Sequence, residues 1–300
     1  MTLRFVQRST PSVLLLTCGF LACGGTPSNT APAGEPGPPR PPVPATGDPV
    51  PRSGPGNPPP GVISPGPPID PATINMKHSG SPVVGGRCPT GMVPVPDAKA
   101  PLFCIDAWEG LAAGDLGAAD QYPTWPEPAS RAASVSRAGV KPTTAVSWYQ
   151  ASAACKNAGK HLCTVAEWTD ACDGLLGPGG SAFPWGDSPD PVSRCATQSA
   201  AGPAIFKEVQ PTGSLPDCRG PIGAYDLVGN AWEWADPGLN RADGTPVAAK
   251  LGAAFYSGRP PAGLVGVPDH GRCDTAPALE HPPQFAGSIG FRCCRPPEVP

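Results

Sequence analysis

The stretch Tyr225-Asp226-Leu227-Val228-Gly229-Asn230-Ala231-Trp232-Glu233-Trp234 decides how the rest of this chain is read. Two indole rings alternate around one carboxylate, directly after a Gly-Asn break. At the two-residue period of an extended segment, Trp232 and Trp234 share one face and Glu233 takes the other. Asp226 and Glu233 flank a turn whose backbone carbonyls can close round a hard cation. The plainer reading is a buried aromatic strand after a tight turn. The company the stretch keeps separates the two.

On its N-terminal side two helices announce themselves by their caps. Ser147 followed by Gln150 is a capping-box pair opening a helix at Trp148 that runs to about Ala158, with Gly159 as its stop. Thr164 followed by Glu167 opens a second at Val165, running to about Asp173 with Gly174 after it. Trp148, Ala151 and Cys155 fall on one face of the first; Val165, Trp168 and Cys172 fall on one face of the second. Each helix therefore turns a tryptophan and a cysteine inward. Short apolar runs between Gly and Pro residues, such as Met92–Val95, Phe103–Ile105 and Ile289–Arg292, read as short strands joined by long loops. Periodicity by itself goes no further than α+β with much irregular chain.

Ten of the twelve cysteines lie in this part: Cys88, Cys104, Cys155, Cys163, Cys172, Cys195, Cys218, Cys273, Cys293 and Cys294. In an exported chain an even number reads as a framework of up to five disulfides. Zinc is the competing reading, but there is no Cys-x-x-Cys, and His78, His161, His270 and His281 lack ligand spacing.

Further out, the N-terminus carries Arg4 and Arg8, an apolar run from Val13 to Ala22, then Cys23-Gly24-Gly25. That is an export signal (1–22), too short for a membrane span. Cysteine straight after Ala22 resembles the lipobox of bacterial lipoproteins, although Phe20 stands where the leucine usually is and Leu21 comes one place late. The resemblance implies lipidation of Cys23 and, with Gly24 next, sorting to the outer membrane; Cys18 is the weaker candidate. An ordinary secretory signal with an incidental cysteine is the alternative. Residues 23–82 are mainly Pro, Gly, Ser, Thr and Ala, with almost nothing to bury against an ordering entropy of roughly 1–2 kcal/mol per residue. They read as a disordered, semi-rigid polyproline tether, with a role as ligand for a proline-reading partner left open. Residues 83–300 suit one domain. A net charge of −3 and the lack of a basic run argue against nucleic acid as a partner.

Blocks along this domain resemble the formylglycine-generating enzyme (sulfatase-modifying factor) family. They are Met92–Pro96 with Phe103–Glu109, Pro142–Cys155, Gly159–Trp168, Phe183–Asp187, the opening stretch, and Gly290–Cys293, all in the family's order. The resemblance implies an irregular, disulfide-rich α+β domain related to C-type lectins. It implies bridges Cys155–Cys293 and Cys172–Cys273; Cys88–Cys104 and Cys195–Cys218 are expected as sequence neighbours, which leaves Cys163 with Cys294. It also implies a calcium site from the side chain of Asp226, the carbonyls of Gly229 and Ala231, and the carboxylate of Glu233. The family's second calcium site, around Cys195 to Gln210, is not recognisable.

The pattern fails at the family's chemistry. Its two copper-binding cysteines fall on Gly263 and Pro268, and no cysteine occurs between Cys218 and Cys273. Thiolates suit monovalent copper, so copper is not expected and no catalytic residue is assigned. The expectation is a lipid-anchored envelope protein, non-catalytic, in which the loop from Ser257 to Pro268 helps recognise a peptide, protein or envelope polymer. The alternative is an oxidoreductase-type enzyme of the same superfamily using other residues, for example His270 and His281 with Asp269 or Glu280. Arg259, Arg272 and Arg292 are candidates to line a groove for an anionic ligand.

Overall fold

Helix α1 (Trp148–Asn157) starts on a complete capping box: Ser147 Oγ accepts from the Gln150 N–H, and the Gln150 side chain accepts from the Ser147 N–H at 3.0 Å. Helix α2 (Val165–Asp173) repeats the device with Thr164 and Glu167. Gly159 and Gly174, at φ 70° and 71°, end the two helices in the left-handed conformation that glycine adopts without strain. The computed structural model describes residues 69–70, 73–117, 130–175, 181–186, 194–197, 206–242, 244–257, 271–280 and 287–299. The expected signal, Cys23 and most of the expected tether lie outside them.

Ten short strands frame the helices: β1 (Met92–Val95), β2 (Phe103–Asp106), β3 (Gly110–Ala113), β4 (Ala133–Ser136), β5 (His161–Leu162), β6 (Trp232–Ala235), β7 (Ala248–Leu251), β8 (Ala278–Glu280), β9 (Ile289–Phe291) and β10 (Cys293–Arg295). They form one sheet in the order β1-β2-β10-β5, a hairpin β3-β4, and a second sheet β8-β7-β6-β9 in which β6 and β9 run parallel. The run Ile289–Arg292 is therefore not one strand. The chain leaves one sheet at Phe291 and enters the other at Cys293, with Arg292 at the joint.

Two apolar clusters fill the interior. One gathers Ile105, Val165, Trp168, Cys172, Leu227, Val228, Cys273 and Cys294; the other gathers Trp148, Ala151, Cys155, Trp232, Trp234, Phe291 and Cys293. The period of two along β10 divides Cys293 and Cys294 between them. Cys293 is bonded to Cys155 of α1, and Cys294 to Cys163 just before α2. Cys172–Cys273, Cys88–Cys104 and Cys195–Cys218 complete five disulfides.

Packing also reaches further toward the N-terminus than residue 83. Ile74 is buried in the first cluster, with Met76 against it. Lys77 pairs with Asp170 and Asp173 of α2, and the His78 N–H donates to Asp170 at 2.8 Å. Pairs of polar and apolar residues too sparse to read as an element are held here by α2. Among the described residues no helix is long and apolar enough to cross a membrane.

Candidate functional site

The loop ahead of β6 is shaped by its backbone. Asp226, Gly229 and Asn230 all sit at positive φ, 57°, 84° and 59°, a region that Asn and Asp enter more easily than other side-chain residues. Gly229 is obligatory for a second reason: a Cβ there would lie 2.5 Å from the carbonyl oxygen of Ala196. Glu109, between β2 and β3, fastens the loop. Its carboxylate accepts from the Asn230 side-chain amide at 2.5 Å and from the Ala231 N–H at 3.0 Å.

From the loop the chain enters β6, and its alternation divides the side chains between the clusters. Trp232 and Trp234 face the second cluster, where the Trp234 indole N–H donates to the Val146 carbonyl at 2.8 Å. Glu233 faces the other way, fully buried, and accepts from the Trp168 indole N–H at 2.8 Å. It also faces Arg292. That guanidinium is fully buried and donates to Glu233 through Nε and Nη2, to the Asp106 carbonyl at 2.7 Å, and to the Tyr225 carbonyl at 2.7 Å. Arg292 is thus a pillar of the interior, not a groove residue as the sequence suggested. Arg272 pairs with Asp274 at the surface, and Arg259 lies outside the described residues.

Charge in this interior does not balance in pairs. Glu109, Asp226 and Glu233 all act on the single guanidinium of Arg292. Burial, with Asp226 and Glu233 nearby, pushes the Glu109 carboxyl well above its ordinary range. Burial also lifts Asp226 to about 6, against the hydrogen bond from the Gly213 N–H at 2.7 Å. Burial works against the charge on Arg292, yet Glu233, Glu109 and Asp226 hold it on.

The set Asp226, Gly229, Ala231 and Glu233 fits calcium by donor chemistry: oxygen atoms only, two of them carboxylate groups, within a buried excess of negative charge. Both oxygens of Glu233 already serve Arg292, but a carboxylate oxygen has lone pairs for a second partner. Among the described residues no three His, Cys, Asp or Glu side chains gather as a metal-holding group, so a cation here depends on the two carbonyls. Copper does not fit. Gly263 and Pro268 lie outside the described residues and bear no thiol, and the ten cysteines of the domain are consumed in five disulfides. Of the substitute metal set, His270, His281 and Asp269 lie outside the described residues, while Glu280 is paired with Lys250.

A cavity of about 470 Å³ opens beside β7, lined by Lys141, Lys207, Glu208, Phe255, Tyr256 and Ser288 among others. The Tyr256 hydroxyl shares a 2.8 Å hydrogen bond with Ser288, and Lys141 pairs with Glu208 at 2.8 Å. Tyr256 is 47% exposed. Ser257 is described, but the rest of the expected recognition loop, to Pro268, is outside the described residues. The cavity had no motif in the sequence; only the start of the expected recognition loop at Ser257, directly after Phe255 and Tyr256, lay near it.

The sulfatase-modifying factor enzyme 1-like domain model matches residues 117–297. The chain is 30% identical over 182 residues to the inactive C-alpha-formylglycine-generating enzyme 2 of Bos taurus, covering 58% of each chain. It is 29% identical over 189 residues to the formylglycine-generating enzyme of Mus musculus, covering 56% of this chain and 48% of that one. The chain spans about half the length of the curated relatives it matches. Among solved structures, CarF superposes with a TM-score of 0.43 at 18% identity, covering 72% of this chain and 97% of its own. On the match to residues 117–297, this chain belongs to the sulfatase-modifying factor enzyme 1-like domain family.

Proposed function

We propose that this is an exported protein, held at the bacterial outer membrane by a lipid on Cys23, whose domain recognises a ligand and does not carry out copper-dependent oxidation. The observation that carries this reading is the state of its cysteines. With all ten in disulfides, the domain offers no thiolate to bind a soft metal or to attack a substrate thiol. One relative is itself described as inactive, which supports the same direction.

The recognition site is the cavity at Phe255 and Tyr256. It combines a half-exposed phenol, the ammonium of Lys207 and the Lys141–Glu208 pair, a mixture suited to an extended peptide or polymer segment with both apolar and polar groups. Asp226 and Glu233 with the carbonyls of Gly229 and Ala231 would hold calcium, which would supply positive charge against the buried carboxylates of the loop leading into β6. The test supplies the full chain, oxidised, with copper, reductant, oxygen and a Cys-x-Pro-x-Arg peptide, and follows the peptide by mass spectrometry. The cysteine should remain unchanged while an active formylglycine-generating enzyme converts it in parallel. Conversion to formylglycine by this chain would overturn the reading. Cys23→Ala should abolish metabolic labelling by a fatty acid.

A further inference from the structure

We propose that Trp108, Tyr225 and Arg219 form a binding platform for an acidic saccharide: a pyranose ring bearing a carboxylate. None of the three lines the cavity beside β7. The platform is built by a short hairpin. Arg219 and Tyr225 face each other in an antiparallel bridge, closed by the Gly220 N–H on the Ala224 carbonyl at 2.8 Å and the Gly223 N–H on the Gly220 carbonyl at 3.0 Å. The Tyr225 N–H donates to the Ala107 carbonyl at 2.8 Å, which brings Tyr225 beside Trp108.

The two rings are stacked nearly parallel, 11° apart with centroids 6.2 Å from each other, and the Arg219 guanidinium stands over the Tyr225 ring, 5.6 Å from its centre. The backbone of Trp108 is fixed on both sides by the Ser136 hydroxyl, at 3.1 and 3.2 Å. Gly213 packs so closely that a Cβ there would lie 3.0 Å from the indole nitrogen. The platform is therefore preorganised by backbone contacts.

Its polar groups are the informative part. The indole N–H groups of Trp148, Trp168 and Trp234 all donate to interior acceptors. Among the described residues those of Trp108 and the phenol of Tyr225 have no hydrogen-bond partner, and the exposed guanidinium of Arg219 has no ion pair. A purely apolar partner would strip water from these groups without replacing it, which is unfavourable. A saccharide meets every one of them: its C–H face lies on the indole of Trp108, its hydroxyls take the indole N–H and phenol, and a ring carboxylate matches the forked donors of Arg219 over the Tyr225 ring.

The test uses the full chain and isothermal titration with oligogalacturonate, neutral cello-oligosaccharide and polyglutamate. Oligogalacturonate should bind, the neutral sugar at least tenfold more weakly, and polyglutamate not at all. Trp108→Ala should lower oligogalacturonate affinity at least tenfold. Arg219→Gln, at an exposed position where folding is not at stake, should lower it similarly while leaving the neutral sugar unchanged. An unchanged near-ultraviolet circular dichroism spectrum identifies variants that remain folded. Lack of binding to oligogalacturonate, equal affinity in folded Trp108→Ala and Arg219→Gln, or equal binding of polyglutamate would each overturn the proposal.

Discussion

The Arg292 guanidinium donates to the Glu233 carboxylate with both partners completely buried, at 2.8 Å through Nη2. It stands at the joint where the chain passes from β9 to β10, so one ion pair ties the two sheets to the indole of Trp168. Removing one partner leaves the other in the interior without its hydrogen-bonded counter-charge. Glu233→Gln or Arg292→Met should lower unfolding free energy by roughly 3–5 kcal/mol, measured by denaturant titration. A loss under 1 kcal/mol would mean that the pair is not what holds the sheets.

Two glycines at similar positive φ should respond differently to alanine. Gly159, at φ 70°, has open space around a built Cβ, so Gly159→Ala should cost only the backbone strain, about 1 kcal/mol. Gly229→Ala adds a contact at 2.5 Å with the Ala196 carbonyl and should cost more, on the order of 3 kcal/mol. Thermal unfolding of the two variants side by side checks the order.

With Cys163–Cys294 intact, Cys155–Cys293 closes only a further short ring through residues 155–163 and 293–294, so its separation of 138 residues does not set the cost of removing it. Cys88–Cys104 closes a separate loop of 16 residues. Loop-closure entropy therefore predicts similar losses, roughly 3 kcal/mol, for the two paired alanine variants. A much larger loss for the Cys155–Cys293 pair in denaturant titration would show that packing around the sulfurs, and not chain entropy, sets the cost.

The His161 ring nitrogen lies 2.9 Å from the Glu167 carboxylate, which also receives the Thr164 N–H at 2.9 Å. Burial opposes the charge on both groups, but their mutual hydrogen bond and attraction prevail, raising His161 and lowering Glu167. A raised histidine contributes stability that is complete below about 6.5 and is lost as pH climbs through its folded value. A lowered glutamate contributes above about 4.5 and is lost as pH falls through its folded value. Stability from the pair therefore peaks between these limits. His161 is 43% exposed, so the effect should stay at about 1 kcal/mol or less. Comparing unfolding midpoints from pH 3 to 9 with those of His161→Gln should isolate it.

Calcium should raise the unfolding free energy of the full chain by about 2.7 kcal/mol at a hundredfold excess over Kd, seen as a higher unfolding midpoint, and chelation should reverse the gain. Asp226→Asn should abolish the response. A midpoint indifferent to calcium in the parent chain would remove the loop 226–233 as a cation site.

Much of this domain is written locally. The caps Ser147/Gln150 and Thr164/Glu167 fix both helix starts because the groups involved are three residues apart. Gly159 and Gly174 fix the ends because they need no distant partner. Alternation through Trp232, Glu233 and Trp234 carried over to opposed faces because β6 is a regular strand paired on both sides, with β7 and β9. By contrast, the tether reading ran on to residue 82, since nothing local reveals that Ile74, Lys77 and His78 find α2 to pack against.

By itself the sequence determined the family, the two helices, the disulfide-rich character and the absence of thiols where copper would bind. Only the tertiary structure decided where charge is buried. Arg292 looked like a surface arginine and Glu109 like one more acidic residue after a strand. Each becomes a core group only when segments more than fifty residues away supply its partners: Glu233 for the first, Asn230 and Ala231 for the second. The cost of burying a charge depends on what surrounds it in space, and no residue carries that information in its own neighbourhood of the chain.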